Sequence, residues 1–120
     1  MIVGIGTDLI ENDRVLKALE NPNFLKRYFS VEEQKLIQQD KHKAAGNYAV
    51  KEAVAKALGT GFRHFSLCDI EVLRDELGKP YVNVYREALR MTEELGISEY
   101  HVSITNTREH SMAFVVAEKR

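Results

Sequence analysis

The segment that most constrains the fold runs from residue 44 to residue 61 and reads AAGNYAVKEAVAKALGTG. Its alanines favour helix and keep the helix surface low, so another element can approach closely. Gly59 supplies the left-handed residue that commonly ends a helix. The segment therefore predicts a central amphipathic helix. Its apolar side chains recur at helical spacing, at Val50, Ala53, Val54, Ala57 and Leu58.

A different face of this helix carries Tyr48, Glu52 and Lys56, each one turn after the last. A carboxylate one turn before an amine is usually a solvated ion pair, worth about 0.2–0.5 kcal/mol. Asp8 changes this interpretation because it adds a second carboxylate, at the end of a predicted strand. Asp8 and Glu52 are therefore candidates for one shared site.

Asp8 belongs to a strand predicted over residues 2–10, in which Gly4, Gly6 and Asp8 share one face. Glycines inside a strand usually indicate that a ligand or another backbone comes close. They form no dinucleotide-binding fingerprint, because Leu9 stands where a third glycine would be needed. We expect Asp8 to lie on an unobstructed face, and the strand leaves two roles open for it: ligand binding, or capping of the helix that follows.

Composition excludes several classes of protein. The chain has 120 residues, 44% hydrophobic and 29% charged, which is typical of one ordinary globular domain. Its net charge of −1 argues against general, sequence-independent binding of nucleic acids. A single cysteine, Cys68, excludes an internal disulfide, and neither a signal peptide nor a membrane-spanning run is recognisable. We therefore predict a cytoplasmic protein.

The remaining segments predict an α+β domain with antiparallel hairpins. Asn12 or Asp13 is expected to cap the first helix, and Ser30 with Glu33 forms a capping box. The last strand is apolar on both faces, which predicts that it is buried against another subunit. The predicted helices cover about residues 14–19, 24–29, 31–39 and 88–95, and the predicted strands cover 65–74, 81–84, 100–105 and 112–117.

Two further groups of side chains have less specific patterns. Basic residues concentrate near the N-terminus and are usually solvated surface, but beside a site they would steer an acidic partner. The histidines show no ligand spacing, so no zinc site is expected. The basic residues are Arg14, Lys17, Lys26 and Arg27, and the histidines are His42, His64, His101 and His110.

Three segments in order resemble one family: GIGTDLIE at 4–11, KEA followed by KA within 51–57, and HVSIT at 101–105. They resemble the short bacterial class of 4′-phosphopantetheinyl transferases, the holo-acyl-carrier-protein synthases. FLKRYFSVEE, ALGTG, DIEV and ELGKPYV extend the resemblance over nearly the whole chain. Each motif alone is weak, whereas the ordered set in a chain of this length is specific.

This resemblance implies transfer of the phosphopantetheine arm of coenzyme A to a serine of apo acyl carrier protein, in fatty acid biosynthesis. Adenosine 3′,5′-bisphosphate leaves. By matching position, Asp8 and Glu52 would hold Mg²⁺, and Lys56 would lie beside the reacting phosphate. The implied fold is the α+β 4′-phosphopantetheinyl transferase fold, an antiparallel sheet packed with helices. The family assembles as a homotrimer with active sites between subunits.

The chemistry of these residue types agrees with that assignment. Mg²⁺ prefers one or two carboxylates together with waters and substrate phosphates. Glu52, a metal-bound water and Lys56 all remain candidates for the base that takes the serine proton. The basic residues near the N-terminus resemble the family's surface for the acidic carrier protein. The candidate coenzyme A contacts are Thr60, Gly61, Ser103, Thr105 and Lys79.

Two positions depart from the family pattern. Asn106 stands where a histidine is common, and Asn47 stands where an arginine is common. Loss of two cationic contacts to coenzyme A phosphates would weaken binding, at roughly 1.5–3 kcal/mol for each charged hydrogen bond. Cations that would compensate are Arg63, His64, Lys79 and Arg108.

Two other functions compete with transfer. A non-catalytic relative would bind coenzyme A or carrier protein without releasing the bisphosphate. A small metal-dependent phosphate-ester hydrolase would turn over without any carrier protein. The intact set of Asp8, Glu52 and Lys56 argues against the first, and nothing in the sequence marks the dedicated water-activating base that the second requires.

Overall fold

The computed structural model describes residues 1–59 and 65–120. Five helices and five strands make up these residues, together with a short 3-10 turn at Leu67–Asp69. In chain order they are β1 (Ile2–Glu11), α1 (Asn12–Ala18), α2 (Pro22–Tyr28), α3 (Val31–Gln39), α4 (Lys43–Leu58), β2 (Ile70–Arg74), β3 (Pro80–Val84), α5 (Arg86–Glu94), β4 (Glu99–Asn106) and β5 (His110–Glu118). Within the described ranges, no helix has both the length and the apolar character that crossing a bilayer requires.

Two antiparallel sheets confirm the predicted α+β architecture. The larger has the strand order β1-β5-β4, and β2 and β3 form a separate hairpin. In the larger sheet Asp8 lies opposite Ala113, which lies opposite Ile104 on the other neighbour. Side chains of paired residues share a face, so these three point to the side of the sheet that α4 covers.

Helix α4 lies so close to β1 that only glycine fits between them. A Cβ atom added at Gly6 would overlap the carbonyl oxygen of Ala53, and one added at Gly4 would overlap that of Ala57. The prediction that another backbone approaches these glycines is confirmed. The expectation of an unobstructed face is wrong, because α4 covers the face of β1 that the glycines share with Asp8.

A buried ion pair fixes α4 against α3 and β2. Lys51 and Glu33 are both fully buried, and their Nζ and Oε1 atoms are 2.7 Å apart. The Lys51 ammonium also donates to the carbonyls of Leu67 and Ile70. Burial raises the pKa of Glu33 and lowers that of Lys51, and each charge opposes the shift of the other. This network holds three elements in one arrangement.

The predicted cap of α3 is confirmed, and the predicted cap of α1 is wrong. Ser30 Oγ accepts from the Glu33 amide at 3.2 Å, and Glu33 Oε1 accepts from the Ser30 amide at 3.0 Å. Helix α1 begins after Glu11 without a side-chain cap. The Asn12 amide instead donates to the carbonyl oxygens of Thr107 and Arg108, tying the helix to the turn between β4 and β5.

The strand predicted over residues 65–74 is wrong in its first half. Residues 67–69 form a 3-10 turn, and β2 begins at Ile70. Asp69 explains the difference because its side chain accepts from the Ser66 amide at 3.3 Å, which closes a turn where a strand was expected. Its other carboxylate oxygen binds the guanidinium of Arg86 at 2.7 Å.

The sheet face that points away from α4 is apolar and uncovered in the single chain. Ile5 and Leu9 of β1 are 59% and 66% exposed, and Met112 and Phe114 of β5 are each 40% exposed. The interior side of β5 is fully buried, at Ala113, Val115 and Ala117. The chain alone therefore buries only one side of β5, so the prediction of burial on both sides does not hold within one subunit.

Candidate functional site

Asp8, Glu52 and Lys56 come together where β1 crosses α4. The Lys56 ammonium lies 3.4 Å from Asp8 Oδ1 and donates to the Thr7 carbonyl oxygen at 2.9 Å. Asp8 lies within β1, and the residue before α1 is Glu11, so the alternative role of Asp8 as a helix cap is wrong. The close contact between strand and helix brings a strand carboxylate beside two helix side chains one turn apart.

Two carboxylates in partial burial repel each other at this point. Burial is the largest cause that raises the pKa of Glu52, and the charge of Asp8 raises it further. Lys56 and a hydrogen bond from the Tyr48 hydroxyl oppose that shift. Burial, and then the Glu52 charge, raise the pKa of Tyr48 in turn. A bound cation would relieve the repulsion between Asp8 and Glu52.

These residues fit Mg²⁺. Carboxylate oxygens are the protein ligands that Mg²⁺ prefers, and an open site with two of them leaves positions for substrate oxygens. Asp8 is half-buried, and Glu52 is also only partly exposed, so neither carboxylate is a freely solvated surface group.

A cleft of about 330 Å³ opens beside these carboxylates. Arg14 lies in its wall, so one of the basic residues near the N-terminus borders the cleft. Lys17, Lys26 and Arg27 are exposed on α1 and α2, and the guanidinium of Arg27 stacks over Tyr28 at 5.4 Å. The cleft is lined by Asp8, Leu9, Ile10, Arg14, Val15, Ala18, Phe24, Tyr48 and Glu52.

A second and larger cavity, of about 660 Å³, lies at the N-terminal end of α4. It shares no lining residue with the cleft. Gly78 and Pro80 border it, and Lys79 between them is exposed. We call it the basic cavity, because its lining includes cationic side chains. It is lined by Asn12, Asp40, His42, Lys43, Gly46, Arg74, Gly78, Pro80, Ile104, Asn106, Thr107, Arg108 and Ser111.

The two departures from the family pattern have different positions. Asn106 lines the basic cavity, and its Oδ1 accepts from Ser111 Oγ at 2.8 Å. Asn47 is fully buried and donates to Glu33 Oε2 and to the Val72 carbonyl oxygen. The Asn47 amide therefore faces the interior and supplies neither charge nor a hydrogen bond to a ligand, and the weaker binding expected from the two departures stays a prediction.

The described residues predicted to contact coenzyme A phosphates do not gather at one place in the single chain. Ser103 and Thr105 lie opposite Phe114 and Met112, on the exposed sheet face away from Asp8. Their role in binding coenzyme A stays a prediction. Thr60 and Gly61 lie outside the described residues, as do the expected compensating cations Arg63 and His64.

Sequence reasoning missed Arg74 as part of a cavity. The strand alternation contained a signal, because Arg74 follows Ile70 and Val72 on the core-facing side of β2. Both of those residues are fully buried. A cationic side chain at a core-facing position is stable only if it pairs with an anion or reaches a solvent-filled cavity.

Glu99, His101 and Glu118 form a further cluster at the other end of the sheet, with one ligand atom of each within 4.8 Å. His101 Nε2 and Glu118 Oε1 are 2.9 Å apart, and Arg120 pairs with Glu99. The histidine therefore does approach two carboxylates, although its sequence spacing shows no ligand pattern. These side chains already satisfy one another.

Known proteins match this chain over nearly its full length. A family model described as the 4′-phosphopantetheinyl transferase superfamily matches residues 4–115. The holo-[acyl-carrier-protein] synthase of Lachnoclostridium phytofermentans is 54% identical over 118 residues, covering 98% of this chain and 97% of the relative.

Solved structures agree with the sequence matches. The holo-[acyl-carrier-protein] synthase of Neisseria meningitidis has a TM-score of 0.88 at 38% identity, covering 99% of this chain and 100% of the other. The Bacillus anthracis enzyme, solved in complex with coenzyme A (3′,5′-ADP), has a TM-score of 0.82 at 35% identity, covering 100% and 99%. The chain therefore belongs to the 4′-phosphopantetheinyl transferase superfamily, in the class of the holo-[acyl-carrier-protein] synthases.

Proposed function

We propose that Asp8 and Glu52 hold Mg²⁺ in this transferase and that Lys56 lies beside the reacting phosphate. The chain transfers the 4′-phosphopantetheine group of coenzyme A to an apo acyl carrier protein, as its family membership establishes. The observation that supports the metal site is the meeting of two partly buried carboxylates in one cleft, where burial first and then the Asp8 charge raise the pKa of Glu52. When bound, the metal would neutralise charge on the diphosphate of coenzyme A.

The residues of the chain itself supply position and charge. Lys56 is held by the Thr7 carbonyl and by Asp8, so its ammonium is available to offset the charge on the transferred group. Tyr48 lines the cleft together with Glu52, and it opposes the rise in the pKa of that carboxylate. Helix α4 excludes water from the back of the site because it packs directly on the glycines of β1.

The carrier protein would dock over the mouth of the cleft. The family resemblance implies an acidic carrier protein. Positive charge lies on α1 and α2, where Arg14 lines the cleft with Asp8 and Glu52, and further exposed cations are Lys17, Lys26 and Arg27. Charge complementarity of this kind mainly accelerates encounter and fixes orientation.

We further propose that the chain works as a homotrimer. The uncovered face of Ile5, Leu9, Met112 and Phe114 supports association, because an exposed apolar patch usually marks an interface. Ser103 and Thr105 lie on this same face. An interface there would bring these hydroxyls toward a neighbouring subunit, where they would serve a site shared between the two.

Transfer is tested by the intact mass of an apo acyl carrier protein incubated with the chain, coenzyme A and Mg²⁺. We expect a gain of one phosphopantetheinyl group that a chelator prevents. Asp8→Asn and Glu52→Gln should each reduce the rate by about 100-fold or more, because each removes a carboxylate ligand of the metal that would stabilise charge on the transferred group. Glu87→Gln, an exposed carboxylate on α5, is the matched control and should not change the rate.

Three outcomes would contradict the proposal. Undiminished transfer by Asp8→Asn or Glu52→Gln would remove that residue from the metal site. Binding of coenzyme A without any mass gain, on several carrier proteins, would instead indicate the non-catalytic relative. Loss of phosphate from coenzyme A without a carrier protein would indicate the hydrolase.

A further inference from the structure

Arg74 is a half-buried guanidinium without an ion-pair partner among the described residues. It ends β2 and lies in the wall of the basic cavity. Its Nη2 atom is 3.8 Å from the position that a Cβ atom would take at Gly46, so the guanidinium lies against the first turns of α4. Its only hydrogen bond there is a long one, 3.4 Å from Nη1 to the Leu73 carbonyl oxygen.

The carboxylate whose charge acts on Arg74 is already fully used. Glu33 Oε1 accepts from Lys51 and from the Ser30 amide, and Glu33 Oε2 accepts from Asn47. Burial lowers the pKa of Arg74, and the Glu33 charge only opposes that shift. A guanidinium removed from water without a partner carries an uncompensated desolvation cost.

The rest of the cavity wall adds positive charge. His42 precedes α4 and Lys43 begins it, and the helix has no acidic residue in its first turn. A helix N-terminus already carries partial positive charge, so a lysine there is unfavourable unless an anion is nearby. Asp40 is the one carboxylate that lines the cavity, and it lies 3.9 Å from Lys43. Arg74 therefore has no ion-pair contact among the described residues of the cavity wall, and the Glu33 charge acts on it only from a distance.

We propose that Arg74 binds a phosphate group of coenzyme A in the basic cavity. This inference rests on the proposed function, since it names a residue that recognises the substrate of that reaction. Asn47 is turned inward and Asn106 carries no charge, so neither supplies a cation here. Arg74 reaches the cavity from β2, and its planar fork of donors suits two phosphate oxygens at once.

Coenzyme A offers two phosphate sources, the 3′-phosphate of its ribose and its central diphosphate. Dephospho-coenzyme A retains only the diphosphate, so a comparison of the two ligands assigns the contact. If Arg74 binds the 3′-phosphate, its replacement weakens the binding of coenzyme A and leaves the binding of dephospho-coenzyme A unchanged. If it binds the diphosphate, its replacement weakens the binding of both ligands equally.

The test is titration calorimetry of both ligands with the wild-type protein and with Arg74→Gln, Arg74→Lys and Arg90→Gln. We expect Arg74→Gln to weaken coenzyme A binding by about 10- to 100-fold, the range for one charged hydrogen bond. Arg74→Lys should retain part of the affinity because it keeps the charge. Arg90 is an exposed arginine on α5 with its own carboxylate partners, so Arg90→Gln should bind as the wild type does.

Unchanged affinity of Arg74→Gln for both ligands, with an unchanged melting temperature, would overturn the assignment of Arg74. The carrier-protein mass measurement separates this failure from failure of the proposed function. Transfer by the wild type together with unaffected binding by Arg74→Gln rejects Arg74 alone. Weakened binding by Arg74→Gln without transfer by the wild type rejects the proposed metal site and reaction but keeps the phosphate contact.

Discussion

Lys51 and Glu52 are adjacent in sequence and have opposite environments. Successive helical residues are rotated by about 100°, so one side chain of α4 points inward and its neighbour points to the flank. Lys51 is fully buried among Glu33 and two backbone carbonyls. Glu52 reaches the cleft beside Asp8. The buried lysine fixes the helix that presents Glu52 to the cleft.

The pH dependence of Mg²⁺ binding should report Glu52. Burial and Asp8 raise the pKa of Glu52 above its ordinary value of 4.5. Only the ionised carboxylate binds metal, so affinity is full well above the raised pKa and falls as pH decreases through it. Calorimetric Mg²⁺ titrations from about pH 7.5 to about pH 5.5 should show weaker binding and greater proton release at the acid end.

Glu52→Gln removes this titration and serves as the comparison. We expect its residual Mg²⁺ binding to be weak and nearly independent of pH over the same range, whereas Glu87→Gln should follow the wild type. Equal pH dependence in Glu52→Gln and in the wild type would show that another group controls the metal.

The sequence was sufficient to group Asp8, Glu52 and Lys56, because helical spacing links Glu52 to Lys56 and the family motifs contain all three, and their roles stay predictions. The inward position of the Asn47 side chain was not predictable from the sequence, for a physical reason. An amphipathic helix has one buried stripe, but α4 is buried on almost every side, including at Asn47 and Lys51. Which polar side chains of such a helix turn inward depends on α3 and β2, and local spacing has no information about them.

At the scale of elements, the contact between β1 and α4 builds the site. Gly4 and Gly6 let the two backbones meet, and this close approach brings Asp8 within reach of Lys56. The glycines were correctly predicted to mark a close approach. The element that approaches was not predicted, because nothing local to β1 distinguishes a helix from a ligand.

Gly6→Ala should disrupt this contact. Its Cβ atom would overlap the rigid carbonyl of Ala53, so strand and helix must separate. We expect a loss of about 1–3 kcal/mol in the free energy of unfolding, typical of overpacking, and a fall in transfer rate as Asp8 moves away from Lys56. Urea unfolding and the carrier-protein mass measurement check the two effects.

Gly46→Ala provides the contrast. A Cβ atom there meets only side-chain atoms, the closest being Ile104 Cγ2 at 3.3 Å, and alanine favours helix by roughly 1 kcal/mol over glycine. We expect its stability to stay near that of the wild type. A Gly6→Ala protein as stable as Gly46→Ala would contradict the proposed role of the close contact.

The hairpins and the cap of α3 were predictable because their signals are local. Gly78 adopts a left-handed conformation, with φ of 85°, in the turn between β2 and β3. The 3-10 turn before β2 was not predictable from alternation, because it depends on the Asp69 carboxylate and its distant partner Arg86.

At the scale of the whole molecule, the uncovered sheet face is the apolar surface of the single chain that no other described element covers. It faces away from α4, and its side chains come from β1 and β5 with the hydroxyls of β4 beside them. The sequence indicated a face for another subunit through the apolar run of β5. The number of subunits came from the family resemblance alone, because one chain's pattern has no information about symmetry.

Phe114→Lys should prevent assembly. Burying an unpaired charge at the centre of an apolar interface is costly, so the subunits should stay apart. We expect light scattering to show a smaller species than the wild type, and the carrier-protein assay to show a transfer rate reduced about 10-fold or more. Leu77→Lys is the matched control, since Leu77 is 94% exposed on a turn away from this face. A fully active Phe114→Lys monomer would contradict a site shared between subunits.

The uncovered face links the properties of each chain to how many others are present. Whatever binds only the folded chain stabilises it by mass action, and in the proposed homotrimer that ligand would be another copy of the same protein. Stability would then depend on concentration, because dilution would dissociate the proposed assembly, return the apolar face to water and lower the melting temperature. A cell that makes too little of this protein would lose activity faster than it loses chains.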